Sequence, residues 1–255
     1  MIYGVTGLLG GGKSYGSVRD AAYHIKKGGV VVTNIELNHL VIAGRFGLDP
    51  DEVKKRIFYI DPDVNSDPWE WPRGDPRGTG GRRVLIIIDE AGEWFSSMES
   101  RHAIKDFASW LRQSDKRGQD VYLIVQDSSI LAKQGRVLVH RWLYMRDMSK
   151  WKIPKLGWGL PYPWNQEFHR IEFDQTGRNM QGRYIHMRDK EVFRMYSTSA
   201  MFGNSAVQST GYNPYEDLED VSCPKASSPP YNMAAMIVAN FSTLALLKTL
   251  TAVFL

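Results

Sequence analysis

The chain begins with a strand, a glycine-rich loop and a helix in direct succession, and this order constrains its fold more than any other feature. Residues 2–6, IYGVT, are apolar and partly β-branched, as in a strand. Residues 7–14, GLLGGGKS, fit the phosphate-loop pattern G-x-x-x-x-G-K-[ST]. A helical apolar period follows over residues 18–25, and VVVTNI at 30–35 is a second strand. The order predicts a βαβ unit that presents the loop to a phosphate group.

The predicted nucleotide site takes its residues from this loop. Successive glycine N–H groups would turn toward the phosphates, and Lys13 would place its charge on the β- and γ-phosphates. The Ser14 hydroxyl would be a ligand of Mg²⁺. The predicted nucleotide-binding set is Gly7, Gly10, Gly11, Gly12, Lys13, Ser14 and Tyr15. The predicted cofactors are ATP and Mg²⁺.

A buried strand supplies the acidic partner that such a loop requires. VLIII at 84–88 is wholly apolar, and Asp89 and Glu90 follow at its carboxyl end, where open parallel sheets bind ligands. We expect Asp89 to hold Mg²⁺, directly or through water, and Glu90 to orient or activate the attacking water. The alternative, that the pair only caps the next helix, is disfavoured by the phosphate loop earlier in the chain.

Two further elements carry candidate residues. The strand DVYLIVQD at 120–127 ends near Gln126, which we expect to sense the γ-phosphate; the alternative is a capping or solvent-facing glutamine. On the preceding helix lie Arg112, Lys116 and Arg117. If the protein works as a ring, one of these arginines is a candidate finger for a neighbour's γ-phosphate. The alternative is that all three cations are solvated helix charges.

These elements predict an α/β fold of the P-loop NTPase type, with a mostly parallel sheet flanked by helices. We place the ATPase domain at residues 1–149. Alternating apolar and polar residues then predict a small β-rich appendage at 150–200. Residues 201–231 are a predicted linker, and residues 232–255 a transmembrane helix.

The predicted membrane segment carries one charge, Lys248, over residues 233–255. As a helix this stretch would be about 34 Å long, enough for a hydrocarbon core of roughly 30 Å. The alternative is a buried or amphipathic C-terminal helix. The chain opens without a signal-peptide pattern, which favours a cytoplasmic N-terminal domain. Its single cysteine, Cys223, excludes an intrachain disulfide framework.

A loop rich in Pro, Gly and Asp is predicted at residues 61–81. It contains two tryptophans, Trp69 and Trp71, for which the sequence leaves two interpretations. We favour anchors that pack the loop onto the sheet over a platform for a ligand.

Four stretches together resemble one family: VTGLLGGGKS, VTNIEL, IIIDEAGEWF and LIVQDSSILAKQGR. They are similar to the zonula occludens toxin (Zot)-like family, and within it to the filamentous phage assembly ATPases. The family pattern D-E-x-G-x-W-F is matched by Asp89, Glu90, Gly92, Trp94 and Phe95. The pattern V-Q-D-x-S-I is matched by Val125, Gln126, Asp127, Ser129 and Ile130. The resemblance covers about residues 1–200.

The resemblance implies a single-pass protein of the host bacterial inner membrane that uses ATP to assemble and extrude virions. It implies a homo-oligomer in the form of a ring, which acts with phage coat protein and packaged single-stranded phage DNA. An outer-membrane secretin is a further implied partner. Three rival interpretations remain: a DNA-pumping or conjugation-type motor, a nucleotide-gated membrane scaffold, and a secreted toxin. The lack of a signal-peptide pattern and of disulfides disfavours the toxin.

Overall fold

The computed structural model describes residues 1–60, 67–94, 101–150 and 166–197. The strands within these ranges are β1 (Ile2–Thr6), β2 (Val30–Thr33), β3 (Ile57–Tyr59), β4 (Val84–Ile88), β5 (Gln119–Ile124), β6 (Arg141–Asp147), β7 (Glu167–Phe173) and β8 (Met180–Met187). The α-helices are α1 (Lys13–Lys26), α2 (His39–Phe46), α3 (Pro50–Lys55), α4 (Ala91–Trp94), α5 (Arg101–Ser114), α6 (Lys133–Arg136) and α7 (Lys190–Arg194). Short 3₁₀ turns span Gly80–Arg82 and Met148–Lys150.

All of these strands belong to one sheet, in the order β3-β2-β4-β5-β1-β6-β7-β8. The pairs from β3 to β6 are parallel, and β6–β7 and β7–β8 are antiparallel. Strand β5 therefore lies between β1, which leads into the phosphate loop, and β4, which leads into the acidic pair. Because parallel strands end at the same edge, the residues that follow β1, β4 and β5 converge there. The predicted α/β fold with a mostly parallel sheet is confirmed.

The β-rich segment predicted at 150–200 contributes β7 and β8, and both continue the central sheet beyond β6. Pairing with β7 satisfies the backbone groups that β6 would otherwise expose along a sheet edge. The predicted linker at 201–231 and the predicted transmembrane helix at 232–255 lie outside the described residues, as does Cys223. Among the residues that are described, no helix is both long and apolar enough to cross a bilayer.

Helices cover both faces of the sheet. On one face α1 buries the apolar stripe that its sequence predicts, namely Val18, Ala21, Ala22 and Ile25, each at most 1% exposed. On the other face α5 buries Phe107, Ala108 and Leu111. Asp49 caps α3 as expected, because its side chain accepts a hydrogen bond from the Asp51 N–H. The strands between these two helix layers carry the candidate site at their carboxyl ends.

The loop before β4 is anchored by Trp71, which is 1% exposed. Its ring meets Trp110 of α5 edge to face, with ring centroids 5.2 Å apart. Trp69 is half-buried, and Arg117 lies over its ring at 5.4 Å. The contacts of Trp71 match the packing interpretation of this tryptophan, since a side chain closed off from solvent offers no face to a ligand.

Candidate active site

The glycine-rich loop joins β1 to α1 and is shaped by the backbone behind it. Gly7 has φ 151°, and a Cβ there would lie 2.3 Å from the carbonyl oxygen of Met145 on β6. Gly12 has φ 89°, and a Cβ there would lie 2.5 Å from the Phe168 ring on β7. Both positions therefore require glycine. Strands β6 and β7 thus form the back wall of the loop, which the local motif does not show.

The remaining loop residues form a turn that enters the helix. The Gly11 N–H donates to the Leu8 carbonyl at 2.8 Å, and Gly10 has φ 66°. Gly12 is the N-cap of α1, so the N–H groups of the first helical turn have no partner within the helix. These groups and the positive end of the helix dipole are a suitable site for an anion such as phosphate.

Lys13 is folded back over this loop. Its side chain is mostly buried, and its Nζ donates to the Gly7 carbonyl at 3.1 Å. The ammonium group is therefore held beside the backbone that would surround a phosphate. This position agrees with the role predicted for Lys13 from the motif.

The predicted metal ligands are in direct contact. The Ser14 hydroxyl donates to Asp89 Oδ2 at 2.9 Å, although the two residues are 75 positions apart in the chain. Burial raises the pKa of Asp89, and the hydrogen bond from Ser14 opposes that rise. A hydroxyl and a partly buried carboxylate at this separation are oxygen donors of the kind that Mg²⁺ prefers. The two residues fit a Mg²⁺ site, and the cation would offset the cost of burying the Asp89 charge.

Glu90 follows in a backbone conformation that is unusual for a non-glycine residue, with φ 50°. Residues held in this region cost about 1–3 kcal/mol and persist only where neighbouring contacts enforce them. The Glu90 N–H donates to Asp89 Oδ1 at 3.0 Å. The side chain reaches Gln126, whose Nε2 donates to Glu90 Oε1 at 3.3 Å. The structure therefore brings Glu90 and Gln126 together at one edge of the sheet.

Gln126 is placed by the strand order, since it follows β5 between β1 and β4. Its carbonyl accepts a hydrogen bond from Thr6 Oγ1 at 3.2 Å, directly before the phosphate loop. Its side chain is exposed, as the solvent-facing alternative expects, and it contacts Glu90 at the same edge.

Asn34, which follows β2 at the same edge, also contacts Asp89, although no sequence motif identified it as a site residue. The Asp89 N–H donates to Asn34 Oδ1 at 2.7 Å, and Asn34 Nδ2 donates to the Asp89 carbonyl at 2.9 Å. A polar residue directly after a strand was the signal that identified Asp89 and Gln126. The same signal was present in VVVTN, but using it required knowing that β2 and β4 are neighbours.

Tyr15, predicted as nucleotide-binding, has a side chain that is 1% exposed and packed away from the loop. Its ring stacks on Phe168 with centroids 4.4 Å apart, and its hydroxyl donates to the Met187 carbonyl at 3.1 Å. The aromatic side chain belongs to the core because α1 turns it toward β7 and β8. The part of Tyr15 that lies at the site is its backbone N–H in the first turn of α1.

The candidate arginines differ in their surroundings. Arg117 is 7% exposed and donates to the carbonyls of Trp69 at 2.7 Å and Trp71 at 3.3 Å. These bonds hold the loop before β4, so Arg117 has a structural role and is a poor candidate for a finger. Arg112 and Lys116 are exposed. Phe95, which completes the Asp-Glu-x-Gly-x-Trp-Phe pattern, lies outside the described residues.

The contact between Ser14 and Asp89 leads to a specific prediction about Mg²⁺. Replacing Ser14 with alanine removes one oxygen donor, and we expect the Mg²⁺ concentration for half-maximal nucleotide-dependent activity to rise at least about tenfold. The matched control is Ser17→Ala on the same helix, because the buried Ser17 hydroxyl has no hydrogen-bond partner among the described residues. A Mg²⁺ titration of both variants that gave the same curve would contradict the assignment of Ser14.

A family model described as Zonular occludens toxin (Zot) matches residues 1–203. The Gene 1 protein of Enterobacteria phage I2-2 is 34% identical over 164 residues, which is 61% of this chain and 43% of that protein. The Gene 1 protein of Enterobacteria phage M13 is 32% identical over 164 residues, covering 61% of this chain and 45% of that protein. The chain thus spans less than half the length of these two relatives.

A solved structure, the N-terminal domain of zonular occludens toxin from Neisseria meningitidis, is also similar to this chain. The two share 16% sequence identity with a TM-score of 0.47, over 77% of this chain and 98% of that one. The resemblance expected from the sequence motifs is confirmed by the family match. Because the family model spans residues 1–203 of a 255-residue chain, the protein belongs to the zonular occludens toxin (Zot) family.

Proposed function

We propose that this protein is a Mg²⁺-dependent ATP hydrolase. The observation that carries the proposal is the contact between Ser14 and Asp89, which joins the phosphate loop to the carboxyl end of β4 at 2.9 Å. A phosphate loop alone would support binding of a nucleotide. The addition of a metal-binding pair, with Glu90 beside it, supports hydrolysis.

Each group of residues in the site would have its own role in hydrolysis. The glycine loop and the first turn of α1 would bind the phosphates, and Lys13 would neutralise their charge. Mg²⁺, when bound, supplies a positive charge that stabilises the phosphate oxygens. Glu90 would orient the attacking water and accept its proton. Gln126 lies against Glu90, where it would detect the γ-phosphate. Such a site acts by positioning and by electrostatic stabilisation.

The role in the phage rests on the family. We propose that ATP hydrolysis powers the assembly and extrusion of filamentous phage virions across the host inner membrane. In this proposal, residues 232–255 anchor the protein, its subunits form a ring, and coat protein and single-stranded phage DNA are its partners. An outer-membrane secretin is a further proposed partner. The domain boundaries given above at residues 149, 200 and 231 are part of the same proposal.

The first experiment is ATP turnover by the purified full chain in detergent, with Lys13→Ala beside it. We expect steady Mg²⁺-dependent turnover in the wild type. In Lys13→Ala we expect turnover to fall by at least about 100-fold, because the loop loses the charge that stabilises the transferring phosphate. Lys116→Ala is the control, since it removes an exposed lysine outside the site. Wild-type protein that bound no ATP would overturn the proposal.

The effect of candidate partners on ATP turnover would distinguish virion assembly from the rival functions. Turnover that rises strongly with naked single-stranded DNA would favour a DNA-pumping motor. Turnover that rises with coat protein in lipid vesicles would favour virion assembly. Tight ATP binding with no turnover under either condition would favour the nucleotide-gated scaffold.

A further inference from the structure

Asn34 occupies the point where the β2–β4 ladder ends. The last paired residues are Thr33 and Ile87. The Asn34 side chain continues the ladder, because its amide accepts from the Asp89 N–H at 2.7 Å and donates to the Asp89 carbonyl at 2.9 Å. One side chain therefore satisfies both backbone groups of the residue that carries the metal-binding carboxylate.

The two bonds hold the peptides on either side of Asp89: the Asp89 N–H belongs to the Ile88–Asp89 peptide and the Asp89 carbonyl to the Asp89–Glu90 peptide. Rotating the Asp89–Glu90 peptide would change ψ of Asp89 and φ of Glu90, and φ of Glu90 is held at 50°. The side chain of Glu90 would then move away from Gln126, which it now meets at 3.3 Å. The position of the Glu90 carboxylate thus depends on the Asn34 amide.

We propose that Asn34 is a positioning residue for hydrolysis. Its side-chain amide holds the Asp89–Glu90 peptide so that the Asp89 carboxylate faces the metal ion and the Glu90 carboxylate faces the attacking water. The inference rests on the proposed ATPase function. Asn34 touches neither the phosphate loop nor Gln126 in the contacts described above, so its effect passes through the Asp89 backbone. A misplacement of about 1 Å in such a site lowers turnover by about 100-fold.

The chain contains a matched control four residues away. Asn38 is buried and caps α2, where its Oδ1 accepts from the N–H groups of Leu40 at 3.1 Å and Val41 at 3.2 Å. Asn38→Ala therefore removes two hydrogen bonds from an asparagine of the same loop without altering the Asp89–Glu90 peptide. A lower melting temperature that Asn34→Ala shares with Asn38→Ala would report only a structural role of the side chain.

The experiment compares Asn34→Ala, the isosteric Asn34→Asp and Asn38→Ala in the full chain. Asn34→Asp keeps the shape of the side chain but places an oxygen against the Asp89 carbonyl. In both Asn34 variants we expect kcat to fall about 10- to 100-fold. The affinity for ATPγS without metal is expected to stay within about threefold, and Asn38→Ala should keep the wild-type kcat. Adding Asn34→Ala to Glu90→Gln should cause no further loss, since both changes remove the same function.

A second measurement does not need turnover. Mg²⁺ should tighten ATPγS binding to the wild type, and we expect Asn34→Ala to lose most of this tightening because Asp89 is displaced. Wild-type kcat and wild-type Mg²⁺ dependence in both Asn34 variants would overturn the inference and leave the ATPase proposal standing. Wild-type protein that bound no nucleotide would overturn the ATPase proposal itself. The two failures are therefore distinguishable.

Discussion

Replacing Glu90 with glutamine is expected to lower ATP turnover by about 10²–10⁴-fold while ATP still binds. Glutamine has the size of glutamate, so the contact with Gln126 and the backbone at φ 50° can persist. The amide is neutral and is a poor proton acceptor, so it cannot activate the water. The phosphate loop, Lys13 and the Ser14–Asp89 pair are unchanged, and these residues would bind the nucleotide.

The measurement is steady-state turnover together with equilibrium binding of ATP. Glu93→Gln is the matched control, because Glu93 is an exposed carboxylate in α4 and its replacement removes the same charge. We expect it to retain wild-type turnover. Equal turnover in Glu90→Gln and the wild type would show that another group activates the water, and the role assigned here to Glu90 would be wrong.

The second large effect concerns stability. Replacing Trp71 with alanine is expected to lower the free energy of unfolding of the described domain by about 3–5 kcal/mol, the range typical of a buried large aromatic side chain. Trp71 is 1% exposed and packs edge to face on Trp110. Its removal leaves a cavity under the loop before β4, and that loop also depends on Arg117.

Chemical unfolding of the variant and of Trp69→Ala tests this prediction. Trp69 is half-buried and its ring is covered by Arg117, so its loss should cost less than that of Trp71. We expect nucleotide affinity to be unchanged in Trp71→Ala at temperatures where the variant is folded. Equal destabilisation by the two variants would contradict the packing role of Trp71. A specific loss of nucleotide affinity would favour the ligand platform.

Most of the site could be predicted from the sequence because its parts are local. The residues from Gly7 to Ser14 form one turn whose conformation depends on consecutive glycines and on the helix that follows. Asp89 and Glu90 could be placed because a wholly apolar strand ends directly before them. Lys13, Ser14, Asp89 and Glu90 need no knowledge of strand order to be recognised, since each stands at a fixed position within its own motif.

Other features could not be predicted from local patterns. Asn34 contacts Asp89 because β2 is the neighbour of β4, and neither segment by itself encodes that strand order. The side chain of Tyr15 enters the core because β7 and β8 lie beside α1, although β7 begins about 150 residues later in the chain. Arg117 resembles a solvated helix charge in the sequence, but the loop with Trp69 and Trp71 folds over it.

By itself, the sequence determined which groups are candidates for the chemistry: a phosphate-loop motif, a serine and an aspartate predicted to hold a metal ion, a predicted general base and a polar residue after the next strand. Those groups lie next to the strands and helices that present them, so short-range patterns specify them. Only the tertiary structure decided which groups touch. Ser14 reaches Asp89 across 75 residues, and Asn34 reaches the same aspartate across 55. Such contacts depend on the order and register of strands, which many distant apolar residues determine together and no single motif encodes.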